Sequence, residues 1–157
     1  MMAWKIIVGG DNAGYGYKEE LKALLEADDR VESVADVGVG SADDGTYYPN
    51  IATAAAEKIA ADEADRALLI CGTGLGVAIA ANKVPGIRAV TAHDLYSVQR
   101  SVLSNNAQVL CMGQRVIGLE SAKELVKVWL DLEFDPTSSS AAKVDSICAY
   151  DGSLEQS

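Results

Sequence analysis

The segment Leu68-Leu69-Ile70-Cys71-Gly72-Thr73-Gly74-Leu75-Gly76 brings an apolar run to an end on a thiol and then passes through three glycines. A helix-like stretch, Val77-Ala78-Ile79-Ala80-Ala81-Asn82, follows directly. Backbone N–H groups and the positive end of a helix dipole then converge beside the sulfur. Such surroundings stabilise negative charge on a thiolate or on an enediolate oxygen, which suits removal of a proton next to a carbonyl. The same residues also fit a buried strand-end cysteine followed by a tight turn, and the segment alone leaves both readings open. A dinucleotide site is disfavoured, because G-x-G-x-x-G would need glycine where Val77 stands. The phosphate-loop pattern G-x-x-x-x-G-K-[ST] does not occur.

Other residues tempt a chemical reading less. His93, the only histidine, precedes Asp94 at an expected strand end. A helix cap by Asp94 with a structural His93 is preferred over an acid–base pair. Cys111 reads as strand core and Cys148 as packing of a terminal helix. Tyr47 and Tyr48 adjoin Pro49, and in extended backbone their side chains diverge, so one of them faces any site there. Arg88, Arg100 and Lys83 read as solvated surface cations.

These groups need elements to carry them. Short apolar runs at Lys5 to Gly9, Val31 to Val37, Ala67 to Cys71, Arg88 to Thr91 and Val109 to Met112 predict strands. Between and after them, Tyr17 to Ala27, Asn50 to Ala61, Gly76 to Asn82, Leu95 to Leu103 and Leu119 to Leu132 predict helices. The alternation implies an α/β architecture with a mainly parallel sheet. Ligands of such sheets gather where strands end and turn into helices. That rule selects Gly10 to Gly14, Ser41 to Pro49, Gly72 to Gly76, His93-Asp94 and Gly113-Gln114-Arg115. After Asp135-Pro136 and a run of serines, a last helix is expected from Ala141 to Tyr150.

A chain of 157 residues fits one domain, residues 1–157, with a core over about 4–133 and a terminal segment over about 134–157. Hydrophobic residues make up 49%, mean hydropathy is +0.09, and no apolar run reaches the length of a membrane span. Net charge is -10, which opposes attraction to nucleic acid and to acidic membrane surfaces; an anionic substrate would need locally concentrated cations. Three widely spaced cysteines and an N-terminus unlike a signal peptide suggest the cytoplasm, without a disulfide scaffold or a metal site.

Ile70-Cys71-Gly72-Thr73-Gly74, Ala80-Ala81-Asn82-Lys83 and Gly86-Ile87-Arg88-Ala89 resemble the type B ribose-5-phosphate isomerase family, which includes lactose-type galactose-6-phosphate isomerases. Asp11 with Ala13-Gly14, Tyr48-Pro49, Asn105 with Val109-Leu110, and Gly113 to Gly118 extend the likeness over nearly the whole chain. The resemblance implies a Rossmann-like three-layer sandwich with a five-stranded parallel sheet. It also implies a homodimer or dimer of dimers with sites shared between subunits, a C-terminal helix packed on the partner, and aldose–ketose isomerisation through a cis-enediolate without metal or cofactor. Cys71 matches the proton-transferring cysteine, and Gly72, Thr73, Gly74 and Gly76 the anion-binding loop, with Thr73 near the sugar hydroxyls. Asp11 and Asn105 would hold substrate oxygens, Tyr48 would line the site, and Arg115 would supply positive charge.

Departures from the family pattern bear on the substrate. Asn12 stands where a histidine commonly lies near the phosphate, and Ser104 where a histidine helps open the furanose ring. Ser139 and Lys143 occupy the places of two phosphate-binding arginines, and a lysine binds as a point charge without a bidentate fork. An aldose 5-phosphate closes a five-membered ring through its free O4. A tetrose 4-phosphate has that oxygen esterified and needs no ring opening. Erythrose 4-phosphate/erythrulose 4-phosphate therefore rivals ribose 5-phosphate/ribulose 5-phosphate as the substrate pair, although a serine acting through water keeps the pentose reading open. A noncatalytic phosphosugar-binding protein, its histidines and arginines lost to decay, is the alternative from another class.

Overall fold

The computed structural model describes residues 3–156. Strands β1 (Trp4–Gly10), β2 (Val31–Asp36), β3 (Arg66–Cys71), β4 (Ala89–Thr91) and β5 (Val109–Gly113) alternate with helices α1 (Tyr15–Glu26), α2 (Tyr48–Ala60), α3 (Leu75–Ala81), α4 (Leu95–Leu103) and α5 (Leu119–Leu130). Helix α6 (Ala141–Asp151) and a 3-10 turn over Ser153–Gln156 follow. Every expected element is present, with ends displaced by at most two residues. The start of α2 moves back to Tyr48 because Pro49, whose fixed φ suits a first helical turn, sits inside the helix.

The five strands pair in parallel in the order β2-β1-β3-β5-β4. All six residues of β3 are buried, as expected of a central strand covered on both faces. Alternation along the strands sends Ile6, Val8, Leu68, Ile70, Leu110 and Met112 to one face, where Leu21, Leu25, Val98, Val102, Val126 and Trp129 of α1, α4 and α5 meet them. Ile7, Leu69, Cys71, Val109 and Cys111 point to the other face, against Ala52, Ala55, Ala56, Ala78 and Ala81 of α2 and α3. The helices of this layer offer small side chains, and Cys71 lies on that side.

Arg66 opens β3 with its guanidinium 3.8 Å from the Trp4 ring centroid and 5.5 Å from that of Trp129. It donates to the carbonyl of Trp129 at 2.8 Å and to that of Leu132, tying the end of α5 to the sheet. Burial pulls its pKa down to about 10, so it stays charged at neutral pH. At the other end of the chain, α6 buries Val144 and closes onto the loop before β4 through Gly86 N–H to Asp151 Oδ2, 2.9 Å. Among the described residues no helix is long and apolar enough to cross a membrane.

Candidate active site

β1 lies between β2 and β3, so the chain leaves β1 toward one side of the sheet and β3 toward the other. The two following loops part at this switch point and open a crevice at the carboxyl edge. Cys71, the last residue of β3, forms its floor. The thiol is 5% exposed, and Gly74 N–H donates to its Sγ at 3.1 Å. That bond requires the chain to double back within three residues, which Gly74 permits with φ at 77°.

The turn is wedged against β5. A Cβ on Gly74 would lie 2.8 Å from the Met112 carbonyl carbon, and one on Gly113 would lie 2.5 Å from that of Thr73. Backbone meets backbone here, so the sulfur is closed off from behind. Thr91 Oγ1 donates to Gly74 O at 2.6 Å, and Leu75 N–H donates to Thr73 Oγ1 at 3.2 Å. The amides of the first turn of α3 have no intrahelical acceptor, and beyond that of Leu75, taken by Thr73, they point toward the loop, although the helix is only seven residues long.

Around the sulfur, Asp11, Ala13, Tyr48 and Gly72 join Thr73, Gly76 and Arg115 in lining a hollow of about 240 Å³. Asp11 Oδ1 accepts from Ala13 N–H at 3.0 Å and Gly14 N–H at 3.2 Å, which shapes the loop that offers the carboxylate. Tyr48 lies over Gly76, whose missing Cβ would stand 2.5 Å from the ring. Arg115 Nη1 would be 3.1 Å from a Cβ on Gly72, so its guanidinium sits over the loop. Its backbone is pinned by Arg115 N–H to Gly72 O, 3.0 Å. Asn12 lines an adjoining hollow of about 380 Å³ that shares Asp11 and Tyr48 with the first. Another hollow, of about 350 Å³ at the amino edge, holds Cys148, whose Sγ accepts from Arg88 Nη1 at 3.3 Å. The crevice is the candidate site because, among the described residues, it is where a strand-end thiol meets loop amides, a carboxylate and a guanidinium.

One chain does not gather every expected residue. Gly74 is buried behind the loop and acts through its amide and its turn rather than as lining. His93 faces a separate hollow beside Glu120 and Glu124. Its Nε2 accepts from Gly113 N–H at 2.9 Å, while Asp94 caps α4 by accepting from Ser97 N–H at 2.8 Å. Burial lowers the His93 pKa against the pull of Asp94, in keeping with a neutral acceptor. Ser104 and Asn105 precede β5 and thus lie at its amino end, whereas Cys71 pairs with Gly113 at the carboxyl end. Ser104 Oγ accepts from Arg100 Nε at 2.6 Å, and Asn105 is exposed. Ser139 and Lys143 are exposed in the segment around the start of α6.

Some supporting residues have no role assigned to them by the sequence. Gln114 donates its backbone N–H to Cys71 O at 2.9 Å and accepts from Tyr17 N–H through Oε1 at 2.9 Å, joining three loops of the crevice. Thr91 is another. The only available hint was position: each follows or closes a strand at the carboxyl edge. Cys111, beside Leu69 in the sheet, is fully enclosed, and burial with the nearby Cys71 pushes its thiol pKa well up.

The ribose/galactose isomerase family model matches residues 6–147. D-erythrulose-4-phosphate isomerase 2 of Mycolicibacterium smegmatis is 78% identical over 151 residues, covering 96% of this chain and 99% of that protein. Ribose-5-phosphate isomerase B of Escherichia coli is 44% identical over 131 residues, covering 83% of this chain and 86% of its own length. The solved structure of Clostridium thermocellum ribose-5-phosphate isomerase B superposes with a TM-score of 0.88 at 38% identity, covering 98% and 99% of the two chains. A thiol at the switch point of a parallel sheet, a glycine loop folded onto it and a likeness running end to end have one reading: the chain belongs to the ribose/galactose isomerase family.

Proposed function

We propose that the protein interconverts erythrulose 4-phosphate and erythrose 4-phosphate. The observation that carries the chemistry is Cys71 Sγ receiving the Gly74 amide at 3.1 Å on the floor of the crevice. As the thiolate, Cys71 takes a proton from C1 of the ketose. The C–H electron pair becomes the C1–C2 double bond and the carbonyl electrons move onto oxygen, giving the cis-enediolate. Amides of the Gly72 to Gly76 loop other than those of Gly74 and Leu75, which are taken by Cys71 Sγ and Thr73 Oγ1, stabilise that charge, and Asp11 and Thr73 hold hydroxyls. Return of the proton from sulfur to C2, with transfer of a hydroxyl proton to the other oxygen, gives the aldose.

The four-carbon reading is supported by Asn12 and Ser104, which replace the phosphate-side and ring-opening histidines, and by the 78% identity to an erythrulose-4-phosphate isomerase. Ribose 5-phosphate is the second reading, favoured by the Escherichia coli relative. Free thiols suit a reducing cytoplasm.

The site is completed by a second copy of the chain. Four residues of strand, roughly 13 Å, separate the entry of β5 from the level of Cys71, so Ser104 and Asn105 reach a crevice only by belonging to a partner. The same holds for Ser139 and Lys143, with α6 as a contact element that exposes Ile147 and Tyr150.

Turnover of tetrose, pentose and hexose phosphates by the unaltered protein and by Cys71→Ser tests this reading. The four-carbon pair is expected to give the highest kcat/KM, and Cys71→Ser to lose on the order of 10³-fold in kcat with near-normal binding. Greater efficiency with ribose 5-phosphate would assign the pentose. Binding with neither product nor exchange of substrate C–H hydrogen with solvent would leave a phosphosugar-binding protein instead.

A further inference from the structure

Lys18 is a lysine in a core position. It shares the buried face of α1 with Leu21 and Leu25, and its side chain is 1% exposed. Its Nζ lies 2.7 Å from Asp36 Oδ2, 3.4 Å from Val39 O and 4.9 Å from the Tyr15 ring centroid, and it also pairs with Glu19. Asp36, the last residue of β2, uses its other oxygen to accept Gly38 N–H at 2.8 Å. The segment so held rides on β1. Val39 N–H donates to Gly10 O at 3.0 Å, and a Cβ on Gly38 would stand 2.7 Å from Gly10 N. Gly10 immediately precedes Asp11. On the far side of the Asp11 loop, Lys18 N–H donates to Gly14 O at 2.9 Å. That last bond is the first main-chain bond of α1 and is kept by any residue at this position, while the side chain, through Asp36 and Val39 O, ties α1 to the segment that rides on Gly10, the residue before the Asp11 loop.

Apolar residues at both 18 and 36 would continue the stripe without burying a charge. A buried ion pair commonly contributes little net stability, and the use best attested for one is fixing a single conformation. We propose that Lys18 and Asp36 are positioning residues for the isomerisation, holding the Asp11 loop and the Gly38–Val39 segment in the arrangement that receives substrate. This rests on the reading of Asp11 and Tyr48 as substrate-facing residues.

The test compares Lys18→Met, Lys18→Arg and Asp36→Asn with the unaltered protein by steady-state kinetics on erythrulose 4-phosphate and by amide hydrogen exchange. Lys18→Met is expected to lower kcat/KM about tenfold or more, chiefly through KM. Exchange at Ala13 and Gly14 should quicken while Leu68 and Ile70 in β3 keep their protection. Lys18→Arg, which retains the charge, should recover most of both. Should Lys18→Met not fold, Asp36→Asn decides by the same readouts, since it keeps the shape and the Gly38 acceptor. Unchanged KM and unchanged exchange at Ala13 and Gly14 would overturn the proposal, as would exchange quickened equally in β3, the sign of a merely general destabilisation. If the unaltered protein turns over no sugar phosphate, the functional reading fails, and the exchange comparison still decides whether the ion pair orders the loop.

Discussion

At the scale of single residues, the crevice depends on what is missing as much as on what is present. Gly76 leaves the space that the Tyr48 ring occupies, and a methyl group there would stand 2.5 Å from the ring. Gly76→Ala is expected to displace Tyr48, raise KM about tenfold and cost about 1–3 kcal/mol of stability, measured by steady-state kinetics and thermal melting. Gly40→Ala meets open space and serves as a control. The residues that line the crevice were legible because they cluster in short motifs at strand ends: Cys71 with its loop, Asp11, Tyr48-Pro49 and Arg115. Lys18, Thr91 and Gln114 were not, because their significance lies in contacts across about 20 to 100 positions of sequence, such as Tyr17 N–H to Gln114 Oε1. Spacing along a chain says nothing about such partners.

At the scale of elements, the apolar periodicity located strands and helices because each face of the sheet selects alternate residues, and Asp94 marked the start of α4 through a cap of the ordinary kind. What periodicity left out is how one element props another. β4 is three residues long, yet its end holds the turn after Cys71 from behind through Thr91 on Gly74, and the next residues place His93 under Gly113. His93 must be neutral to accept that amide. Burial depresses its pKa, opposed by Asp94, so the unfolded chain takes up a proton first as pH falls. Its contribution to stability is present above the ordinary histidine pKa of about 6.5 and is lost as pH drops through the lower folded value. Melting temperature followed from pH 8 to pH 5 should fall more steeply for the unaltered protein than for His93→Gln, whose amide oxygen accepts without titrating. Parallel profiles would remove His93 as the cause.

At the scale of the whole molecule, the separation of Ser104, Asn105, Ser139 and Lys143 from Cys71 gives a test by complementation. Cys71→Ala and Asn105→Ala variants, each nearly inactive alone, are mixed after unfolding and refolded together. In the two-fold symmetric pair proposed above, half of the dimers would be hybrids, each with one site holding Cys71 and Asn105 intact, so activity should return to about one quarter of the unaltered level. Recovery of nothing would mean that both residues serve one chain or that Asn105 serves none.

The same separation has an evolutionary meaning. The thiol proposed to move the proton sits at one rim of the sheet, and the groups proposed to sense the tail of the sugar, Asn12 apart, sit on a turn and a terminal helix at the other. Mutations in those outlying pieces can lengthen or shorten the accepted carbon chain while leaving the sulfur and its amides untouched, so relatives can diversify in diet without reinventing the reaction.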